Sequence, residues 1–183
     1  MTGRGLSNAL SCTQAMEAVP PTTLRQSLRG CVDDCSIRGL SWGAKWAAEA
    51  LNSLPKSQPG DSTFQYTDEI GSRRRDWNSF CSEEESDRYA LAKCYFDCRE
   101  YDHASETLDH CPSSKSVFLK LYARFMSGEK KKDEDSEMVM GPIDGEVTPN
   151  RELQPLIAEL RTLMKRGCQE PFLLYLYVQT LPN

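Results

Sequence analysis

Residues 88–111 read R-Y-A-L-A-K-C-Y-F-D-C-R-E-Y-D-H-A-S-E-T-L-D-H-C. Leu91, Ala92 and Tyr95 are followed by Tyr101, Ala104 and Leu108. Steps of three and four residues place side chains on one face of a helix. The stretch therefore predicts two antiparallel helices packed face to face, with residues 97–100 as the turn between them. A large residue stands beside a small one at 91 and 92, and the small Ala92 lets the second helix approach closely. Ala104 is the matching small residue on that second helix. Leu91, Ala92, Tyr95, Ala104 and Leu108 are thus the expected packing positions. One such hairpin cannot bury its apolar face alone, so neighbouring repeats must stack on it. The function this implies is the binding of other proteins and not chemistry.

Working towards the N-terminus, residues 22–39 carry Leu24, Leu28, Cys31, Val32 and Cys35 on one stripe and read as an amphipathic helix. Thr22 or Thr23 is its expected cap, and Gly39 its expected left-handed stop. Ser41 is the expected cap of a second helix over residues 42–54. Trp46, Ala47, Ala50, Leu51 and Leu54 are its expected inner face, and Pro55 its end. Residues 1–21 and 55–84 are poor in periodic apolar positions. Both read as disordered, a tail and a loop. The loop holds Arg73-Arg74-Arg75, read as a solvated cluster, and Ser72 and Ser79, whose phosphorylation a sequence does not reveal.

Towards the C-terminus, the repeat at 86–111 is followed by an expected helix at 114–127. Val117, Phe118, Leu121, Tyr122 and Phe125 give that helix a wide apolar face, and Gly128 is its expected end. Residues 128–149 open with a mixed charge run and hold Gly141-Pro142; they read as an insertion. A helix resumes over 150–166, with Asn150 as cap and Leu153, Leu156, Ile157, Leu160, Leu163 and Met164 inward. The last segment, F-L-L-Y-L-Y-V-Q-T-L at 172–181, is apolar nearly all round and is read as a helix in this context. No partner helix follows it, so the chain reads as the N-terminal piece of a longer protein or as a short product. The architecture these elements predict is all-α. Antiparallel hairpins stack as a tetratricopeptide-type solenoid over 22–183, irregular because Tyr122-Ala123 falls short of a period of about 34 residues.

Composition narrows the function. The chain has 183 residues, 39% hydrophobic and 27% charged, with a net charge of −5. That balance argues against a nucleic-acid surface. No stretch approaches the apolar length of a membrane span, and residues 1–8 show no apolar signal core. The expected setting is therefore intracellular and reducing, with the eight cysteines as free thiols. Four of them form C-x3-C pairs, 31/35 and 94/98, which puts each pair on one helical face as small core hydrophobes. C-x2-C is absent and the only histidines are His103 and His110, so no metal site is expected. Cys94 or Cys98 with His103 is the only nucleophile–base combination. Burial on the packed face would silence those thiols, and no phosphate loop, dinucleotide fingerprint or nucleophile elbow occurs. The chain is expected to be neither an enzyme nor a cofactor binder.

Four stretches carry a resemblance beyond the repeat itself. They are R-G-L-S-W-G-A-K-W-A-A-E at 38–49, Y-A-L-A-K-C-Y-F-D-C-R-E-Y-D-H-A-S at 89–105, S-G-E-K-K-K at 127–132 and P-F-L-L-Y-L-Y at 171–177. In that order and spacing the chain resembles the N-terminal region of subunit 8 of the anaphase-promoting complex, the cell-division-cycle-23 type. The pattern departs at Val178, where the family carries a small residue. The resemblance implies a non-catalytic scaffold subunit of a ubiquitin ligase that controls the metaphase–anaphase transition and mitotic exit, in nucleus and cytoplasm. It implies a homodimer formed through these N-terminal repeats, other subunits of the complex as partners, and no nucleic acid, membrane or small-molecule substrate.

Aromatics are enriched at interfaces as well as in cores. Trp42, Trp46, Tyr95, Phe96, Tyr122 and Phe125 are therefore weighed as both core and interface residues. The candidate interface set is Leu24, Leu28, Trp42, Trp46, Tyr95, Tyr122 and Phe125. The alternative is a stand-alone tetratricopeptide adaptor that holds a peptide tail in its groove, with Lys93 and Arg124 gripping a carboxylate.

Overall fold

The structure, a computed structural model, describes residues 20–55, 80, 82–138 and 149–181. The expectations for residues 1–19, for Arg73 to Arg75, and for Ser72 and Ser79 lie outside those residues. The described residues form α1 (Pro21–Ile37), α2 (Ser41–Ser53), α3 (Glu83–Asp97), α4 (Tyr101–Thr107), α5 (Ser114–Met138), α6 (Leu153–Lys165) and α7 (Pro171–Thr180), with no strand among them. Each helix packs on its sequence neighbours. In addition α1 touches α3, α3 touches α5 and α5 touches α7, so the odd-numbered helices form a continuous row. The chain is an all-α stack of antiparallel hairpins, a tetratricopeptide-like solenoid.

Three apolar clusters hold the stack together. The first joins Val32, Ala44, Ala47, Ala48, Leu91 and Cys94. The second joins Ala92, Leu108, Cys111 and Leu119, and the third Leu121, Leu156, Leu160, Leu173 and Leu176. Ala92 and Ala104 have no exposed surface, so neither position has room for a larger side chain. Each cluster draws on helices from adjacent hairpins, which is why a single hairpin does not suffice.

The first two hairpins use the same turn. Gly39 and Arg99 both stand at positive φ, 71° and 61°. The amide of Leu40 donates to the Cys35 carbonyl at 2.9 Å, and that of Glu100 to the Tyr95 carbonyl at 2.9 Å. These bonds reach back over the last turn of each helix and satisfy its free carbonyls.

Several boundaries differ from the sequence reading. Pro21 opens α1 with Pro20 as the capping residue, and neither Thr22 nor Thr23 caps it; proline's fixed φ suits the first helical position. Ser41 is the first residue of α2 and not its cap, because the tight turn makes Leu40 the capping residue. Helix α3 begins at Glu83, three residues earlier than expected, with the Ser82 hydroxyl accepting from the Glu85 amide at 3.1 Å. That is the Ser-x-x-Glu capping pattern.

Gly128 does not end the third expected helix. Helix α5 passes through it to Met138, and Lys131 reaches Asp102 of α4 at 3.2 Å. Trp46 does not belong to the inner face of α2: Ala44, Ala47, Ala48 and Leu51 fill that face. Three alanines and a leucine on one stripe let α2 lie close to α1 and α3, which turns the tryptophan outward.

Candidate protein-interaction surface

The outward face of α2 carries two large apolar side chains one turn apart. Trp42 is 70% exposed and Trp46 is 66% exposed. The turn before them adds Ile37 at 84% and Leu40 at 55%. Scattered single apolar residues are ordinary on a surface, whereas several on one short segment are a mark of an interaction site.

Lys45 fixes the Trp42 ring. Its ammonium lies 5.1 Å from the Trp42 ring centre and 5.2 Å from that of Tyr95, and donates to Glu100 at 2.5 Å. The hydrogen bond to Glu100 raises the Lys45 pKa, and the same bond lowers that of Glu100. Tyr95 in turn donates its hydroxyl to Glu49 at 3.1 Å. An ammonium between two rings and a carboxylate is a cation–π arrangement, so α2 and α3 are joined by charge as well as by packing. Tyr95 is half-buried in this arrangement.

Between the first two turns lies an open groove of about 440 Å³, lined by Leu40, Trp42, Gly43, Asp97, Cys98 and Arg99 among others. Asp97 pairs with Lys93 at 2.8 Å. Arg99 makes no ion pair among the described residues.

The other expected interface residues have different surroundings. Leu24 is partly exposed on α1, and Leu28 packs against the first cluster. Tyr122 and Phe125 pack against the third cluster. Tyr122 lies 5.4 Å from Phe96 and 5.6 Å from Phe118, ring centre to ring centre. This aromatic row bridges α3 to α5 inside the stack. Of the packing set, Leu91 lies in the first cluster and Ala92 and Leu108 in the second, and Ala104 is buried on α4. Lys93 and Arg124 are each committed to carboxylates of their own chain, Lys93 to Asp97 and Arg124 to Glu159 at 2.6 Å.

The nucleophile–base combination is not assembled. Cys94 is buried in the first cluster, and removal from water pushes its pKa up to about 11. Burial likewise raises Cys98 and Cys35. His103 faces Glu100 at 3.2 Å and the Tyr95 ring. No group of three or more metal-ligating side chains occurs among the described residues, and no described helix is long and apolar enough to cross a membrane.

Sequence reasoning misses Ile37 and Leu40. They flank Gly39 and fall off the stripe of Leu24, Leu28 and Val32, and that offset is the available signal. On α7, Leu173, Leu176 and Thr180 are buried while Leu174, Tyr175, Val178 and Leu181 face outward.

The fold and this surface define a helical-repeat module with no assembled catalytic centre among its described residues. Residues 23–181 match the family model described as anaphase promoting complex subunit 8 / Cdc23, and the chain belongs to that family. It is 35% identical over 177 residues to the anaphase-promoting complex subunit 8 of Arabidopsis thaliana, covering 84% of this chain and 31% of that protein. It is 37% identical over 145 residues to the human cell division cycle protein 23 homolog, covering 76% and 22%. The Saccharomyces cerevisiae subunit CDC23 is 33% identical over 128 residues, covering 64% and 20%. The chain thus spans a fifth to a third of the length of these relatives.

Proposed function

We propose that the chain is a non-catalytic scaffold part of the anaphase-promoting complex. Its relatives carry that complex in their names, and family membership makes other subunits its natural partners. The complex is a ubiquitin ligase that controls the metaphase–anaphase transition and mitotic exit, and the chain works with it in nucleus and cytoplasm. Its own role is to present helical surfaces and to pair with a second copy.

The observation that carries this reading is the exposed pair Trp42 and Trp46 on a rigid helix whose opposite face is fully packed. An isologous contact uses one such patch twice, and rigid aromatics anchor interfaces at low entropic cost. Leu24, exposed near the start of α1, lies at the other end of the hairpin from Trp42. Leu28 packs against the first cluster, so a charge at Leu28 reports on folding. Trp46 is the cleaner probe.

Light scattering of the purified chain under reducing conditions tests dimerisation. A solution mass twice the 20.7 kDa of the chain is expected, falling to a single chain in Trp46→Glu with the helical spectrum unchanged. A single-chain mass for the unaltered protein at every concentration overturns the dimer. The stand-alone adaptor has less support, because the two cations it needs, Lys93 and Arg124, are already paired within the chain.

A further inference from the structure

We propose that Lys45 and Glu100 are positioning residues for the dimer contact: through them the second hairpin fixes the pose in which α2 offers Trp42 to a second copy. The inference rests on the dimer reading above and adds what controls that surface. Trp42 and Lys45 stand three residues apart on α2, so their side chains are neighbours on its surface. The Lys45 ammonium lies 5.1 Å from the Trp42 ring centre. Trp46 has no ring or cation contact among the described residues. The two exposed tryptophans are therefore unequal: one ring is held and the other is not.

The hold on Trp42 comes from outside its own hairpin. Lys45 donates to Glu100 at 2.5 Å, and its side chain is only 16% exposed. Glu49, one turn along α2, stands farther from the ammonium, at 4.0 Å. Glu100 is itself fixed. It stands in the turn just before α4, its amide donates to the Tyr95 carbonyl at 2.9 Å, and its other carboxylate oxygen faces His103 at 3.2 Å. The Tyr95 ring of α3 also lies beside the ammonium, at 5.2 Å. An ammonium tethered by a carboxylate and placed beside two rings cannot swing away without losing both kinds of contact. Immobilising an exposed side chain on binding costs affinity. For Trp42 much of that ordering is already present in the free chain.

Two readouts on the full chain test it. Dimer dissociation is followed by light scattering across a dilution series. The motion of the ring is followed by time-resolved fluorescence anisotropy at high dilution, with Trp46→Phe and Trp77→Phe leaving Trp42 as the sole tryptophan of the chain's three. Lys45→Met removes the charge and keeps the stem, and Glu100→Gln removes the anchor. Each is expected to add a fast local component to the Trp42 decay and to weaken the dimer about two- to ten-fold, the size of one side chain's ordering, with the helical spectrum unchanged. Lys45→Arg should restore both readouts, because a guanidinium also reaches ring and carboxylate with its charge. A Trp42 decay unchanged in both variants overturns the proposal, whatever the dimer does. A mobile Trp42 ring with an unweakened dimer overturns it as well, and leaves the dimer reading standing. An unaltered chain that is monomeric at every concentration overturns both.

Discussion

Arg29 of α1 grips Asp87 of α3 with two parallel bonds, Nε to Oδ1 at 2.7 Å and Nη2 to Oδ2 at 2.9 Å. Arg25 approaches the same carboxylate at 3.8 Å. Asp87 is buried although α1 and α3 are only weakly in contact otherwise. The first hairpin docks on the second chiefly through α2 and the first apolar cluster, and the fork ties α1 to α3 beside that contact with a fixed orientation. Proximity to Asp87, through the hydrogen bond first, raises the pKa of the guanidinium.

Asp87→Asn is expected to destabilise the chain. Arg29 is 37% exposed, so water screens part of the loss, and about 1–2 kcal/mol is expected. Urea unfolding checks it. Arg29→Lys should lose much of the same amount, because an ammonium cannot form the fork. An unchanged midpoint in both variants would mean that apolar packing alone positions α1.

How much of this is legible in the sequence depends on range. The hairpin at 88–111 is readable because Leu91, Ala92, Ala104 and Leu108 obey a local period that burial enforces. Gly39 is readable as a stop because few residues other than glycine take up its φ of 71° at low cost. Gly128 misleads because a glycine after an apolar stripe looks like another such stop, although α5 runs through it. Its role is a contact with Asn150, far along the chain, and periodicity contains no such information. Trp46 misleads because a large apolar residue at helical spacing looks inward; the four smaller residues beside it claim the inner face. Arg29 with Asp87 is invisible, since nothing local links positions so far apart. The groove at Arg99 emerges only when the second turn is seen beside the first.

Gly128 of α5 lies against Asn150, in the segment that leads into α6. A Cβ there would overlap the Asn150 side chain. Asn150 is not free to move away. Its amide donates to Glu129 at 2.9 Å and its oxygen accepts from the Glu152 amide at 2.9 Å. In most helices glycine to alanine is favourable. Here Gly128→Ala is expected to cost about 1–3 kcal/mol through overpacking and lost bonds. Thermal unfolding decides it: a higher midpoint for Gly128→Ala would show that Asn150 can rotate aside.

The paired turns give opposite expectations for opposite substitutions. Arg99 occupies a left-handed conformation at a strain of roughly 1 kcal/mol. Arg99→Gly relieves that strain and makes the unfolded chain more flexible, so a small net gain or no change is expected. Gly39→Ala imposes the strain and should lower stability by about 1 kcal/mol. Chemical denaturation of the two variants side by side reads the difference. Packing cannot mask it at Gly39, because a Cβ added there would meet nothing within 4 Å.

Stability should decline at both ends of the pH range, for separate reasons. Glu100 is held below its ordinary value of 4.5 chiefly by the Lys45 hydrogen bond, and Asp102 below 3.8 chiefly by the Ser127 hydroxyl. For a carboxyl whose folded pKa is depressed, the folded state binds fewer protons than the unfolded one. Its contribution is complete above the unfolded value and disappears as pH falls through the folded one. The thermal midpoint should therefore fall below about pH 4.5, and Glu100→Gln with Asp102→Asn should flatten that fall. Cys94 works in the other direction. Burial keeps its proton on, up to about 11, so its contribution is complete below the ordinary thiol value of 9.0 and is lost as pH rises towards 11. The native Cys94 thiol should accordingly resist iodoacetamide at about pH 8, below its ordinary thiol range, and become reactive at the rate of global unfolding in mild denaturant. Rapid native alkylation of Cys94, located by peptide mapping, would mean that α3 opens locally and that the first cluster is not the rigid base on which Trp42 and Trp46 are displayed.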